Sequence, residues 1–101
     1  MPYIKQEHRP ELDVHIDALA KVINTTASKE GGEGSFAGLL NYSCTRLALR
    51  VIPERRYKWI AMVTGVFENI KQEFYRRFAA PYEDEQIEKN GDVYRMTPKE
   101  K

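Results

Sequence analysis

The residues best suited to chemistry in this chain are arginines interleaved with tyrosines. Asn41, Tyr42, Thr45 and Arg46 follow one another at spacings of one, three and one, and Arg50 comes four residues later. On a helix, the first four place an amide, a phenol, a hydroxyl and a guanidinium within about one and a half turns. A second group, Lys71, Tyr75, Arg76 and Arg77, is followed by Tyr82. Guanidinium forks match phosphate oxygens two bonds at a time, and aromatic faces stack on bases. Such a kit suits a nucleotide or a nucleic acid. Between 46 and 58, Arg46, Arg50, Arg55, Arg56 and Lys58 stand against Glu54 alone, a local charge of +4. The same pattern also describes the polar border of a helix, with arginine stems lying on apolar neighbours and surface ion pairs between them. Spacing alone leaves both readings open.

Other chemistries find less support. His8, Glu11 and His15 have the donor types of a zinc or iron site, but Pro10 interrupts the helix that would align them and no fourth ligand is evident. Cys44 lies on an apolar stripe, where a cysteine acts as a small hydrophobe. No histidine follows it in the chain to activate it. Glu68 and Glu73 are five apart and point to different sides of a helix, so they do not form a carboxylate pair for acid–base work. The glycines between 31 and 34 lack a phosphate-loop ending. The expectation is a binding protein and not an enzyme, with no metal and no cofactor.

The elements that must position these groups read as helices. Pro10 suits a first turn, and Leu12, Ile16, Leu19 and Ile23 then recur at helical spacing, predicting a helix over 10–24. Residues 25–35 carry three glycines and no large apolar residue, which predicts a flexible loop. Ser35 offers its hydroxyl as a cap. Phe36, Leu40, Cys44, Leu47 and Val51 predict a helix over 36–51, stopped by Pro53. Trp59, Val63, Val66 or Phe67, Ile70, Phe74 and Phe78 predict a third over 56–79, ended by Pro81. Glu73 and Arg77 stand in the favourable order for an ion pair. Gly65, inside this run, suggests either a close helix approach or simple tolerance. Beyond lie an acidic segment, Glu83 to Glu88, a turn at Asn90-Gly91, and a short strand or arm at 92–96. Residues 97–101 are expected to fray.

The fold class that follows is mainly all-α: a small antiparallel three-helix bundle or helical hairpin with an extended C-terminal arm. With 101 residues it is expected to be one domain, 1–101. The wide stripe on the third helix exceeds what two thin neighbours can cover, so a homo-oligomer is expected. A net charge of +1 gives no global bias toward a polyanion. No apolar run approaches the ~18 residues of a membrane span. The opening residues lack the apolar stretch of a signal peptide. With one cysteine, these features predict a cytoplasmic protein and no membrane partner.

The chain also resembles a family of short bacterial and phage proteins of unknown function. The likeness is carried by Met1-Pro2-Tyr3-Ile4, Arg9-Pro10, Leu40-Asn41-Tyr42, Thr45-Arg46-Leu47 and Gly65-Val66-Phe67-Glu68. Further on it is carried by Glu73-Phe74-Tyr75-Arg76-Arg77, Pro81-Tyr82-Glu83-Asp84 and Asn90-Gly91-Asp92-Val93-Tyr94. The resemblance brings no catalytic or binding residues with it. Compact phage proteins of about this size include helical oligomers that capture cyclic-nucleotide immune signals in basic, aromatic-lined pockets between subunits, a parallel of setting and size. Three expectations therefore stand side by side. The first is sequestration of a nucleotide-like small molecule at a subunit interface by Arg46, Arg50, Arg76 and Arg77 with Tyr42, Tyr75 and Tyr82. The second is a nucleic-acid-binding accessory protein using the basic turn at 46–58. The third is a protein-interaction adaptor or inhibitor.

Overall fold

The computed structural model describes residues 3–94. After a short 3-10 turn, α1 spans Arg9–Glu30, α2 spans Phe36–Val51 and α3 spans Tyr57–Phe74. A π-helical turn, Tyr75–Ala79, leads into α4, Ala80–Asn90. No strand occurs among the described residues, and the fold is all-α. The chain's contacts group it into two units, Met1–Val63 and Thr64–Lys101. Among the described residues no helix is long and apolar enough to cross a membrane.

In the first unit, α1 and α2 form a helical hairpin. Pro10 occupies the first turn of α1, where its missing N–H costs nothing. The Arg9 guanidinium donates two hydrogen bonds to the carbonyl of Ile4, at 3.1 and 2.8 Å, and ties the entering chain to the helix start. α1 runs past the predicted end at residue 24. Thr25, Thr26, Ala27, Ser28, Lys29 and Glu30 continue the helix, and the connection shrinks to five residues. The reason is packing: Ala27, 3% exposed, is the buried residue of this hairpin, and α1 contacts both α2 and the turn Glu33–Ser35. Tertiary contact outweighs the modest helix propensity of threonine and serine. The stop comes from glycine. The amide N–H groups of Gly31 and Gly32 both donate to the Ala27 carbonyl, with Gly31 at φ +151° and Gly32 at φ +93°.

Ser35 takes the N-cap position of α2, but its hydroxyl makes no capping bond. Its φ of −66° and ψ of −15° are helical and not the extended geometry that capping uses. α2 ends where Ile52, held extended ahead of Pro53, leaves the helix (ψ 128°).

The second unit departs further from expectation. Pro81 does not end a helix; it sits in the first turn of α4. A proline inside an α-helix clashes with the carbonyl four residues back and removes a bond. Here the chain widens by one residue just before it, and the Ala80 N–H donates to the Tyr75 carbonyl, five residues away. The helical path therefore continues through the acidic segment, Glu83 to Glu88, beyond the end at Pro81 that the sequence predicts. Gly91, at φ +81°, closes α4 by donating to the Ile87 carbonyl at 2.8 Å. Asp92, Val93 and Tyr94 form no strand. The remainder of the expected strand or arm, Arg95 and Met96, and the residues at 97–101 lie outside the described residues.

Candidate functional site

α2 presents the clearest candidate. A groove of about 620 Å³ is lined by Ala37, Gly38, Asn41, Tyr42, Thr45, Arg46 and Leu49. Four of these are the residues whose spacing suggested a site. Successive turns of one helix bring them to one face, and Gly38 leaves open space where a side chain would stand. The Thr45 hydroxyl lies 3.4 Å from the Asn41 side-chain carbonyl. Tyr42 is 65% exposed, so its ring face is available for stacking.

The electrostatics of this groove turn on Arg46. Among the described residues its guanidinium meets no carboxylate and no hydrogen-bond acceptor. It therefore keeps all its donors for something else. Arg50 lies one turn further along α2, likewise unpaired among the described residues, but does not line the groove. Arg55 is also unpaired, whereas Arg56 reaches Glu54 at 3.4 Å and Lys58 lies 4.7 Å above the Trp59 ring. The turn's one acid thus engages one of its five cations, and the open cations are those of α2 and Arg55.

The second group is arranged differently. Lys71 and Tyr75 line a pocket of about 390 Å³ with Gln72, Phe74 and Ala79. Arg76 and Arg77 are both drawn to Glu73, at 3.5 and 3.6 Å. The Glu73 side chain is 26% exposed, and one carboxylate serves both cations. Lys71 also pairs with Glu68 at 3.5 Å. The Tyr75 hydroxyl donates to the Glu83 carboxylate. That bond, and then the negative charges of Glu83 and Asp84, raise the phenol above its ordinary value. Tyr82 is exposed on α4. This group is an internally satisfied polar network that straddles the π-helical turn.

His8 lies in the 3-10 turn beside Glu7, at 3.8 Å, while Glu11 and His15 belong to α1. No cluster of three or more metal-ligating side chains occurs among the described residues. Cys44 is half-buried on α2. Sequence reasoning missed Ala37, Gly38 and Leu49 as groove residues, although the helical register of Asn41 and Arg46, extended by one turn in each direction, contains them. The Tyr75–Glu83 bond was not visible, because its spacing of eight depends on the π turn.

Comparison with curated proteins and with solved structures yields no match. A family profile does match, over residues 1–93, and on that extent the chain belongs to the family described as Domain of unknown function (DUF6899).

Proposed function

We propose that this chain is a non-enzymatic binding protein that holds a small, phosphate-bearing, nucleotide-like ligand in the α2 groove. Arg46 would engage phosphate, Tyr42 would stack on the base, and Asn41 and Thr45 would hydrogen-bond sugar or base edges. The observation that carries this reading is the unpaired Arg46 guanidinium in a groove already lined by an aromatic face, an amide and a hydroxyl. Its volume falls within the roughly 300–1,000 Å³ of small-molecule clefts. Every lining residue comes from one helix. A ligand held there alone would keep one side in water, whereas bound ligands of this size bury about 70–90% of their surface. A second copy of the chain would supply the missing wall, and the working form of the protein is a homo-oligomer. In its finer form the reading is sequestration of a nucleotide-derived immune signal in a phage setting.

The test is thermal shift and calorimetry with cyclic dinucleotides and ADP-ribose. Ligand at 100 times its Kd stabilises the folded state by about 2.7 kcal/mol. Arg46→Ala should weaken binding by about 10- to 100-fold, the worth of a charge-assisted contact, without changing the ligand-free circular dichroism. A flat response across the panel contradicts the proposal.

A second reading has one observation in its favour: Arg46, Arg50 and Arg55 are open cations in a short stretch. A nucleic-acid partner would show an affinity falling steeply with salt, and a low-salt gel shift separates it from small-ligand capture.

A further inference from the structure

The turn of the α1–α2 hairpin holds a second hollow, distinct from the α2 groove. It measures about 450 Å³, with Asn24, Ala27 and Ser28 on one side and Gly34 and Phe36 on the other. Ala27 and Ser28 follow Asn24 by three and four residues, which puts all three on one face of α1. The returning chain faces them because the N–H groups of Gly31 and Gly32 both close on the Ala27 carbonyl. Ala27 forms the buried floor.

Three features of this hollow are idle in the fold. Gly34 is not among the positive-φ glycines, and a Cβ there would meet nothing within 4 Å. Neither backbone geometry nor packing therefore calls for glycine at 34; the missing side chain leaves room. The Asn24 side-chain amide has no partner among the described residues, although its backbone carbonyl accepts from the Ser28 hydroxyl at 3.1 Å. The Phe36 ring is half-exposed and stacks on no other ring among the described residues. No charged side chain among the described ones lines the hollow.

We propose that this hollow binds an uncharged, flat heteroaromatic ring of the nucleobase kind, stacked on Phe36 and paired along one edge with the Asn24 amide. A side-chain amide carries a donor and an acceptor side by side, and the edge of adenine presents the complementary pair. The Ser28 hydroxyl spends its proton on the Asn24 carbonyl, so its oxygen is left to accept from a ring amine. Stacking on an aromatic side chain is a contact that every base can make. With no cation in the lining, recognition falls on the ring and not on a phosphate. The inference is independent of what the α2 groove holds.

The experiment titrates adenosine, which carries no phosphate, into the isotope-labelled full chain and follows the amide signals by NMR. Adenosine at millimolar concentration should move the Asn24 side-chain NH2 signals and the backbone amides of Gly34 and Phe36 along saturable curves. Asn24→Leu keeps the size of the side chain and removes both hydrogen-bonding atoms, so it should weaken binding by about tenfold. Gly34→Leu fills the hollow from the opposite wall and should weaken binding at least as much. Arg46→Ala should leave the affinity unchanged, so failure here is separable from failure of the groove. The proposal is overturned if Asn24 and Phe36 do not shift, or if the shifts gather around Arg46 instead. It is equally overturned if the folded Asn24→Leu and Gly34→Leu chains bind adenosine as the parent does.

Discussion

Replacing Phe74 with alanine probes the entry to the π turn. A phenylalanine buries about 150–250 Å² when fully enclosed, and 62% of Phe74 is open. The chain itself therefore covers about 75 Å² of it, worth about 2 kcal/mol at ~25 cal/mol per Å². Alanine retains the Cβ and a little of that area, leaving a loss of about 1.5 kcal/mol. The Phe74 and Phe78 rings stack with centroids 5.4 Å apart and planes 19° apart, and loss of that contact adds about 0.5–1.5 kcal/mol. The better helix propensity of alanine returns about 0.5 kcal/mol. The net expectation is a destabilisation of about 2 kcal/mol, read from denaturant melts. Asn69→Ala, on the exposed surface of the same helix, is the control and should not destabilise. A loss for Phe74→Ala below about 0.5 kcal/mol, the scatter of ordinary surface changes, would refute the reasoning. Equal damage from Asn69→Ala would do the same.

Three further outcomes follow from particular contacts. Tyr75 should titrate above the ordinary tyrosine value near 10, followed by tyrosinate absorbance, and Glu83→Gln should bring it back down. Because the folded-state value is the raised one, the Tyr75–Glu83 contribution is fully present below the ordinary value and is lost as pH rises through the raised one. Gly31→Ala should destabilise the hairpin by about 1–3 kcal/mol in denaturant melts, since φ is +151° and a Cβ would come 3.1 Å from the Ser35 hydroxyl. Gly34→Ala, which has open space, should cost less than ~0.5 kcal/mol by the same measurement. Glu73→Gln removes the negative charge shared by Arg76 and Arg77. It should cost no more than about 1 kcal/mol per pair in denaturant melts.

Much of the helical content was legible because apolar spacing carries it. Phe36, Leu40, Cys44, Leu47 and Val51 mark α2, and the same register placed Asn41, Tyr42, Thr45 and Arg46 on one face. The end of α1 was not legible. Thr25 to Glu30 are polar residues of middling propensity, and what keeps them helical is the contact of Ala27 with the chain that returns after Gly31 and Gly32. Pro81 misled for a related reason. Proline's clash with an α-helix is a local rule, but a single π turn relieves it, and no residue type announces such a turn in advance. The pairing of Tyr75 with Glu83 depends on that turn, so it was hidden with it. The Glu73–Arg77 pair was visible from its spacing of four, whereas the capture of Arg76 by the same carboxylate was not singled out.

Native mass spectrometry of the protein taken directly from cells addresses both halves of the proposal in one spectrum. The account predicts multiples of the 11.8 kDa chain carrying an added small-molecule mass that is missing when Arg46 is alanine. A folded single chain with no added mass would contradict it.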